Sequence, residues 1–155
     1  MLCLALRESP VTLGCSLVLL KRCVLISNTA RQNCRYDRYC SAFGDVDASF
    51  GSLGSFFSPR FAPTRGCFEA NPPFVPILMQ HMVDKMESLL AAASASGGEA
   101  AGGVGGGGLT FVVIVPAWTQ LPFWKALEES SWLRAPVLQV PAAEHGFCDG
   151  AQVGG

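Results

Sequence analysis

Four consecutive residues, Asn71-Pro72-Pro73-Phe74, combine groups able to handle an amino group carried on a flat ring. Such a nitrogen is a poor nucleophile because its lone pair is delocalised into the ring. Acceptors set on its two hydrogens, here the Asn71 side-chain oxygen and the Pro72 carbonyl, favour the pyramidal form. The lone pair is then free to attack an electrophilic methyl group. The prolines stiffen the turn, so these acceptors need little reorganisation when a substrate arrives. Phe74 offers a face on which a flipped base can stack. No general base with a shifted pKa is required. The same four residues also suit an ordinary strand-ending turn with a buried Phe74.

The flanking elements decide whether such a turn is held in place. Cys67-Phe68-Glu69-Ala70 reads as a short strand that stops at Asn71-Pro72-Pro73, because proline cannot donate to a ladder. A helix follows. Val75, Leu78, Met79, Met82, Val83, Met86, Leu89, Leu90 and Ala93 fall at spacings of three and four, and Pro76 sits in the first turn, where its missing N–H costs nothing. Residues 94–108 are rich in Ala, Ser and Gly, have no periodicity, and read as a flexible loop insert. Leu109 to Val115 is an unbroken β-branched and aromatic run, suited to a strand buried on both faces. A weaker helix over Leu121–Trp132 and a strand over Val137–Val140 complete the pattern. Strand–helix–strand–helix–strand implies an α/β fold with parallel strands and right-handed crossover helices. Ligands bind outside the carboxyl ends of such strands. Asn71–Phe74 and Pro116-Ala117-Trp118 are therefore expected to line one cleft.

Other features exclude alternatives. Gly103-x-Gly105-x-x-Gly108 matches the spacing of a dinucleotide-binding loop, but a helix precedes it and a strand follows, the reverse of the order that places a pyrophosphate on a helix amino terminus. It reads as a linker. The seven cysteines, at 3, 15, 23, 34, 40, 67 and 148, include no CxxC pair, and His81 and His145 add no paired spacing, so no metal site is expected. Without a secretory signal they read as reduced, buried thiols, which points to nucleus or cytoplasm. Val11 to Leu20 is apolar but too short to span a bilayer, so no membrane association is expected. Lys21, Arg22, Arg31, Arg35 and Arg38 form a basic strip opposed only by Asp37, either a solvated surface or a phosphate-contacting edge. The formal net charge of −1 gives the whole chain no general attraction for nucleic acid.

The 155 residues suit one domain, since domains commonly run to about 100–150 residues. Half of them are hydrophobic and only 15% charged, which supplies a core and excludes a charged disordered tail as the whole chain.

The motif at Asn71–Phe74 matches the Asn/Asp-Pro-Pro-Phe/Tyr signature of class I methyltransferases acting on exocyclic amino groups. The blocks Tyr39–Asp47, Phe50–Phe57 and Gly66–Phe74, continued by Leu109–Trp118, Val140–Ala142, Glu144-His145 and Gly150-x-Gln152, strongly resemble the phosphorylated-CTD-interacting factor family, the cap-specific adenosine N6-methyltransferases. The resemblance implies a Rossmann-like methyltransferase sheet. It also implies methyl transfer from S-adenosylmethionine to the 6-amino group of the 2′-O-methylated adenosine beside the cap of an mRNA. Asn71, Pro72, Pro73 and Phe74 fall on the family's catalytic motif, and Asn33 on the last residue of a turn that belongs to its cofactor site. Capped mRNA is the implied substrate.

Departures from the family shape further expectations. Residues 1–32 resemble little and are expected to be a divergent N-terminal segment, residues 33–152 a partial methyltransferase domain, and 153–155 a tail. Trp118, Trp124 and Trp132 do not form the pair of a WW domain, so that domain is expected to be absent, and binding of the phosphorylated polymerase II tail to lie in a region missing here. The helical region that grips the cap is likewise expected to be missing. A truncated gene product or a non-catalytic remnant retaining RNA or partner binding is the alternative to an active enzyme. Asp45 and Asp47 suit a cofactor ribose or a turn, His145 a substrate contact or a structural hydrogen bond, and Phe50–Phe57 a substrate-side loop, with Phe56 and Phe57 as core or as stacking platform.

Overall fold

The computed structural model describes residues 2–7, 24–26, 38–96, 108–134, 137–141 and 144, with 2–7 and 24–26 as backbone alone. Six strands form one sheet: β1 (Leu2–Arg7), β2 (Val24–Ile26), β3 (Tyr39–Cys40), β4 (Gly66–Ala70), β5 (Leu109–Val115) and β6 (Leu138–Gln139). Their spatial order is β3-β2-β4-β5-β1-β6. The helices are α1 (Gly44–Asp47), continued by a 3₁₀ turn over Ala48–Phe50, α2 (Pro76–Ala95) and α3 (Pro122–Glu128).

β3, β2, β4 and β5 run parallel, with Ile26 opposite both Cys40 and Ala70, and Ala70 opposite Val113. The two strongest expectations from sequence, the β4–α2–β5 unit and its parallel pairing, agree with this register. β5 alternates as the pleat requires. Leu109, Phe111, Val113 and Val115 are fully buried, while Thr110, Val112 and Ile114 are half-buried, so burial is complete on one face rather than on both. Phe68 lies opposite Phe111 on the same face, their rings 5.5 Å apart. Against this face α2 lays Met79, Met82, Val83, Met86, Leu89, Leu90 and Ala93, a stripe at helical spacing, and α3 adds Phe123, Trp124 and Leu127. The Ser130 hydroxyl donates to the Glu87 carboxylate, tying the segment after α3 to α2.

Three features depart from the sequence reading. The sheet is mixed: β1 runs antiparallel along β5, with Leu2 opposite Val115 and Arg7 opposite Thr110. By occupying that edge it keeps β6 from pairing with β5, and β6 joins the far side of β1 instead, Leu2 opposite Gln139. The expected third parallel neighbour is thus displaced by one strand. The helices also have different limits, α2 running two residues further and α3 ending at Glu128. Proline sets the start of both, at Pro76 and Pro122, each preceded by an extended residue. Finally, β1, β2 and β3 have no counterpart in the sequence reading. The apolar segment 11–20, most of the basic strip and the Gly-rich spacing at 103–107 lie outside the described residues.

Candidate functional site

Parallel pairing brings the carboxyl ends of β3, β2, β4 and β5 to one edge of the sheet, the edge at which such sheets bind ligands. A cavity of about 190 Å³ sits there. Its walls are Cys40, Ser41 and Ala42 at the end of β3, Ser55, Phe56 and Phe57 from the following loop, Pro72 and Pro73 beyond β4, and Leu78 and Met82 from the first turns of α2. Typical cofactor and drug sites measure roughly 300–1,000 Å³. The volume therefore suits one flat ring system and not a whole dinucleotide-sized or nucleoside-sulfonium ligand.

The loop wall is held by a close set of hydrogen bonds. Leu53 N–H donates to the Tyr39 carbonyl at 2.7 Å, Ser41 N–H to the Gly54 carbonyl at 3.0 Å, and the Ser41 and Ser52 hydroxyls share a bond of 2.9 Å. Gly54 N–H donates to the Ser52 hydroxyl at 3.1 Å. Residues 52–54 thereby run alongside β3 and carry Ser55–Phe57 over the cavity. Two glycines make this approach feasible. A Cβ on Gly44 would lie 2.7 Å from the Gly54 Cα, and Gly54 itself has φ +85°, where side chains are disfavoured.

The motif turn is equally tight. Val75 N–H donates to the Pro73 carbonyl at 2.7 Å, and α2 starts at the next residue. Pro72 is buried and Asn71 half-buried. Among the described residues, neither the Asn71 side chain nor the Pro72 carbonyl has a hydrogen-bond partner, so both acceptors of the predicted pair are uncommitted. Pro72 and Pro73 form cavity wall; Asn71 stands beside it at the end of β4. Phe74 does not line the cavity but packs, half-buried, against the core.

The expected cleft between Asn71–Phe74 and Pro116–Trp118 needs correction. β4 and β5 end at the same edge, but Trp118 turns to the core, its ring 6.4 Å from that of Phe123, and none of these three residues lines the cavity. The motif faces the β3 side instead, across β2. Asp45 and Asp47 sit in α1, away from the cavity wall, with the Asp47 carbonyl accepting from Ser52 N–H at 3.2 Å, a turn-forming role. Asn33 and His145 lie outside the described residues.

Of the Tyr39–Asp47 block and of Phe50–Phe57, the latter expected as a substrate-side loop, Cys40–Ala42 and Ser55–Phe57 line the cavity together with Pro72 and Pro73. Cys40 was grouped only with buried thiols. It is 2% exposed, and burial pushes its thiol up to about 12. At neutral pH it is therefore an uncharged, apolar part of the wall and not a nucleophile. Its unfolded pKa is near 9, so the unfolded chain sheds this proton first. The stability that the neutral thiol secures is present below pH 9 and falls as pH rises towards 12. Thermal melts between pH 8 and 11 should show a decline that is smaller in Cys40→Ala; equal declines would exclude this origin.

With this geometry in place, comparison with known proteins is informative. The family model described as the phosphorylated CTD interacting factor 1 WW domain matches residues 29–150. This chain belongs to that family. It is similar to the mRNA (2′-O-methyladenosine-N(6)-)-methyltransferase of Homo sapiens, 38% identical over 122 residues, and to that of Mus musculus, 37% identical over 122 residues. In both cases the match takes in 77% of this chain, which spans 15% of the relative's length. The match corrects one expectation: the domain described as WW is detected here, over the strand-and-helix region, and is not absent. Looking for a tryptophan pair missed it. Trp118 lies after β5, Trp124 in α3 and Trp132 beyond α3, so the matched region is marked by the whole α/β segment. The expectation that polymerase-tail binding belongs to a missing region falls with it. Among the described residues no helix is long and apolar enough to cross a membrane.

Proposed function

We propose that the chain serves the transfer of a methyl group from S-adenosylmethionine to the 6-amino group of the cap-adjacent adenosine of mRNA, on a Rossmann-like sheet, in the nucleus. The observation that carries this reading is the Asn71-Pro72-Pro73-Phe74 turn, set at the carboxyl end of a parallel strand with Pro72 and Pro73 in the wall of a ring-sized cavity. The names of the two relatives, as mRNA methyltransferases, support it.

In this reading the base enters the apolar cavity and its amino group meets the Asn71 side-chain oxygen and the Pro72 carbonyl. Two acceptors on its hydrogens draw the nitrogen towards a pyramidal geometry and direct its lone pair. S-adenosylmethionine supplies the electrophilic methyl group. The described cavity is too small for that whole cofactor, so its nucleoside and methionine ends need other residues, Asn33 among them. Burial of Pro72 and the apolar wall lower the local dielectric around its carbonyl, which strengthens that acceptor's hold on the amino group. The family model's description also supports a second role, contact with the phosphorylated polymerase tail, for which tail peptides with and without phosphoserine give the binding test.

The reaction is tested by incubating the chain with labelled S-adenosylmethionine and capped RNA that begins with 2′-O-methyladenosine or 2′-O-methylguanosine. Label should enter the adenosine RNA alone. No incorporation, or equal incorporation into both, rejects the reading.

A further inference from the structure

The geometry points to Phe57, a residue of the cavity wall, as a ring on which the bound base stacks. This rests on the proposed nucleobase cavity and deepens it. Phe74 packs, half-buried, against the core and is not in the cavity wall. Phe57 is in the wall together with Pro72 and Pro73 and is 44% exposed, so part of its ring is open to a ligand. Its backbone is fixed by a turn in which Phe57 N–H donates to the Ser55 hydroxyl at 3.2 Å and Ser58 N–H to the Ser55 carbonyl at 3.0 Å. Its ring stands near-perpendicular to Phe56, centroids 5.4 Å apart at 74°, and to His81, 6.5 Å apart at 80°. Neither neighbour stacks parallel on it, so among the described residues the ring is braced from two sides and has no parallel stacking partner.

Phe56 completes the support. It is 3% exposed and packs against Phe61, which in turn meets Phe68 of β4. A chain of four rings thus joins the cavity mouth to the strand that ends in the motif. Such bracing holds the ring in place in the cavity wall, and a stacking ring that is fixed before the ligand arrives costs less ordering on binding. The polar groups of the wall offer little competition. The Ser41 hydroxyl is paired with Ser52, and the Ser55 hydroxyl accepts from Phe57 N–H. Stacking and the motif's acceptors therefore divide recognition between them: Phe57 takes the ring, Asn71 and Pro72 the amino group.

The test uses capped RNA with 2-aminopurine as its first nucleotide, whose fluorescence falls on stacking and which carries no 6-amino group to be methylated. The full chain should quench it. Phe57→Ala should weaken the interaction about 10-fold or more, and Phe57→Trp should restore it. Far-UV circular dichroism of each variant establishes that it is folded. Absence of quenching by the wild type, or equal affinity of wild type and folded Phe57→Ala, overturns the assignment. Quenching without methyl transfer would defeat the proposed reaction and leave the stacking assignment standing; methyl transfer with quenching insensitive to Phe57 would do the reverse.

Discussion

Asn71→Ala is expected to lower methyl transfer to cap-adjacent adenosine by a factor of about 10²–10³, the usual cost of removing one preorganised polar group from a reacting centre. The substitution takes away an acceptor and nothing else of consequence. Asn71 is half-buried and its side chain bonds to no described residue, so no structural hydrogen bond is lost with it. Melting temperature should accordingly change little. The Pro72 carbonyl remains, held by a turn that does not depend on the Asn71 side chain, and retains part of the grip on the amino group. Asn71→Asp separates acceptor from amide. A carboxylate accepts as well as an amide oxygen, so this variant should keep far more activity than Asn71→Ala. Binding of 2-aminopurine RNA should be nearly indifferent to both, because that base has no 6-amino group for Asn71 to hold. Single-turnover rates with saturating RNA are the decisive measurement. An Asn71→Ala variant as fast as wild type would remove the motif from the proposed chemistry.

How much of this was legible in the sequence depends on where the information sits. α2 and β5 were legible because each carries its own periodicity: the methionine and leucine stripe of α2 at spacings of three and four, and the unbroken run of β5 ending at Pro116. The motif turn was legible for the same reason, since prolines fix its backbone locally. β2 and β3, at three and two residues, are too short to show a period; β2 is a strand because β4 offers an edge to pair with, and β3 because β2 then offers the next. β1 is longer, yet its antiparallel place against β5 is decided more than a hundred residues away, and that choice moves β6 as well. The site divides likewise. Asn71, Pro72 and Pro73 could be placed from their own neighbourhood. Phe57 could not be told apart from Phe74, because its position comes from a loop folded back by the Gly44–Gly54 approach and the bonds from Tyr39 and Ser41. The motif's sequence marks where chemistry can occur; only the packed loop places Phe57 in the cavity wall.

Phe111→Ala is expected to cost about 3–5 kcal/mol of stability, a large part of the roughly 5–15 kcal/mol that small proteins possess. Phe111 is fully buried in β5, between β4 and β1 in the sheet, and its ring lies 5.5 Å from that of Phe68 on the adjacent strand. Removing it takes apolar area out of the core and leaves a void that flanking strands, held by ladder hydrogen bonds, can close only in part. Trp124 offers the contrast. It is as deeply buried and larger, but among the described residues its indole N–H has no hydrogen-bond partner, so Trp124→Phe relieves an unmet donor while it opens a smaller space. That variant should lose much less stability than Phe111→Ala. Phe111→Leu, which retains most of the volume, should fall between them and wild type. Urea unfolding followed by circular dichroism gives the order, provided the slopes agree. The effect should also reach the site, because Phe68 is the ring at the inner end of the chain that braces Phe57, and Ala70, two residues on, abuts the motif. Loosening of Phe68 would therefore weaken quenching of 2-aminopurine RNA in the still-folded fraction at low temperature, whereas a purely global loss of stability would leave that fraction's affinity intact. A Phe111→Ala protein within 1 kcal/mol of wild type, well below the usual cost of such a cavity, would mean that the β4–β5 contact is not the centre of the core.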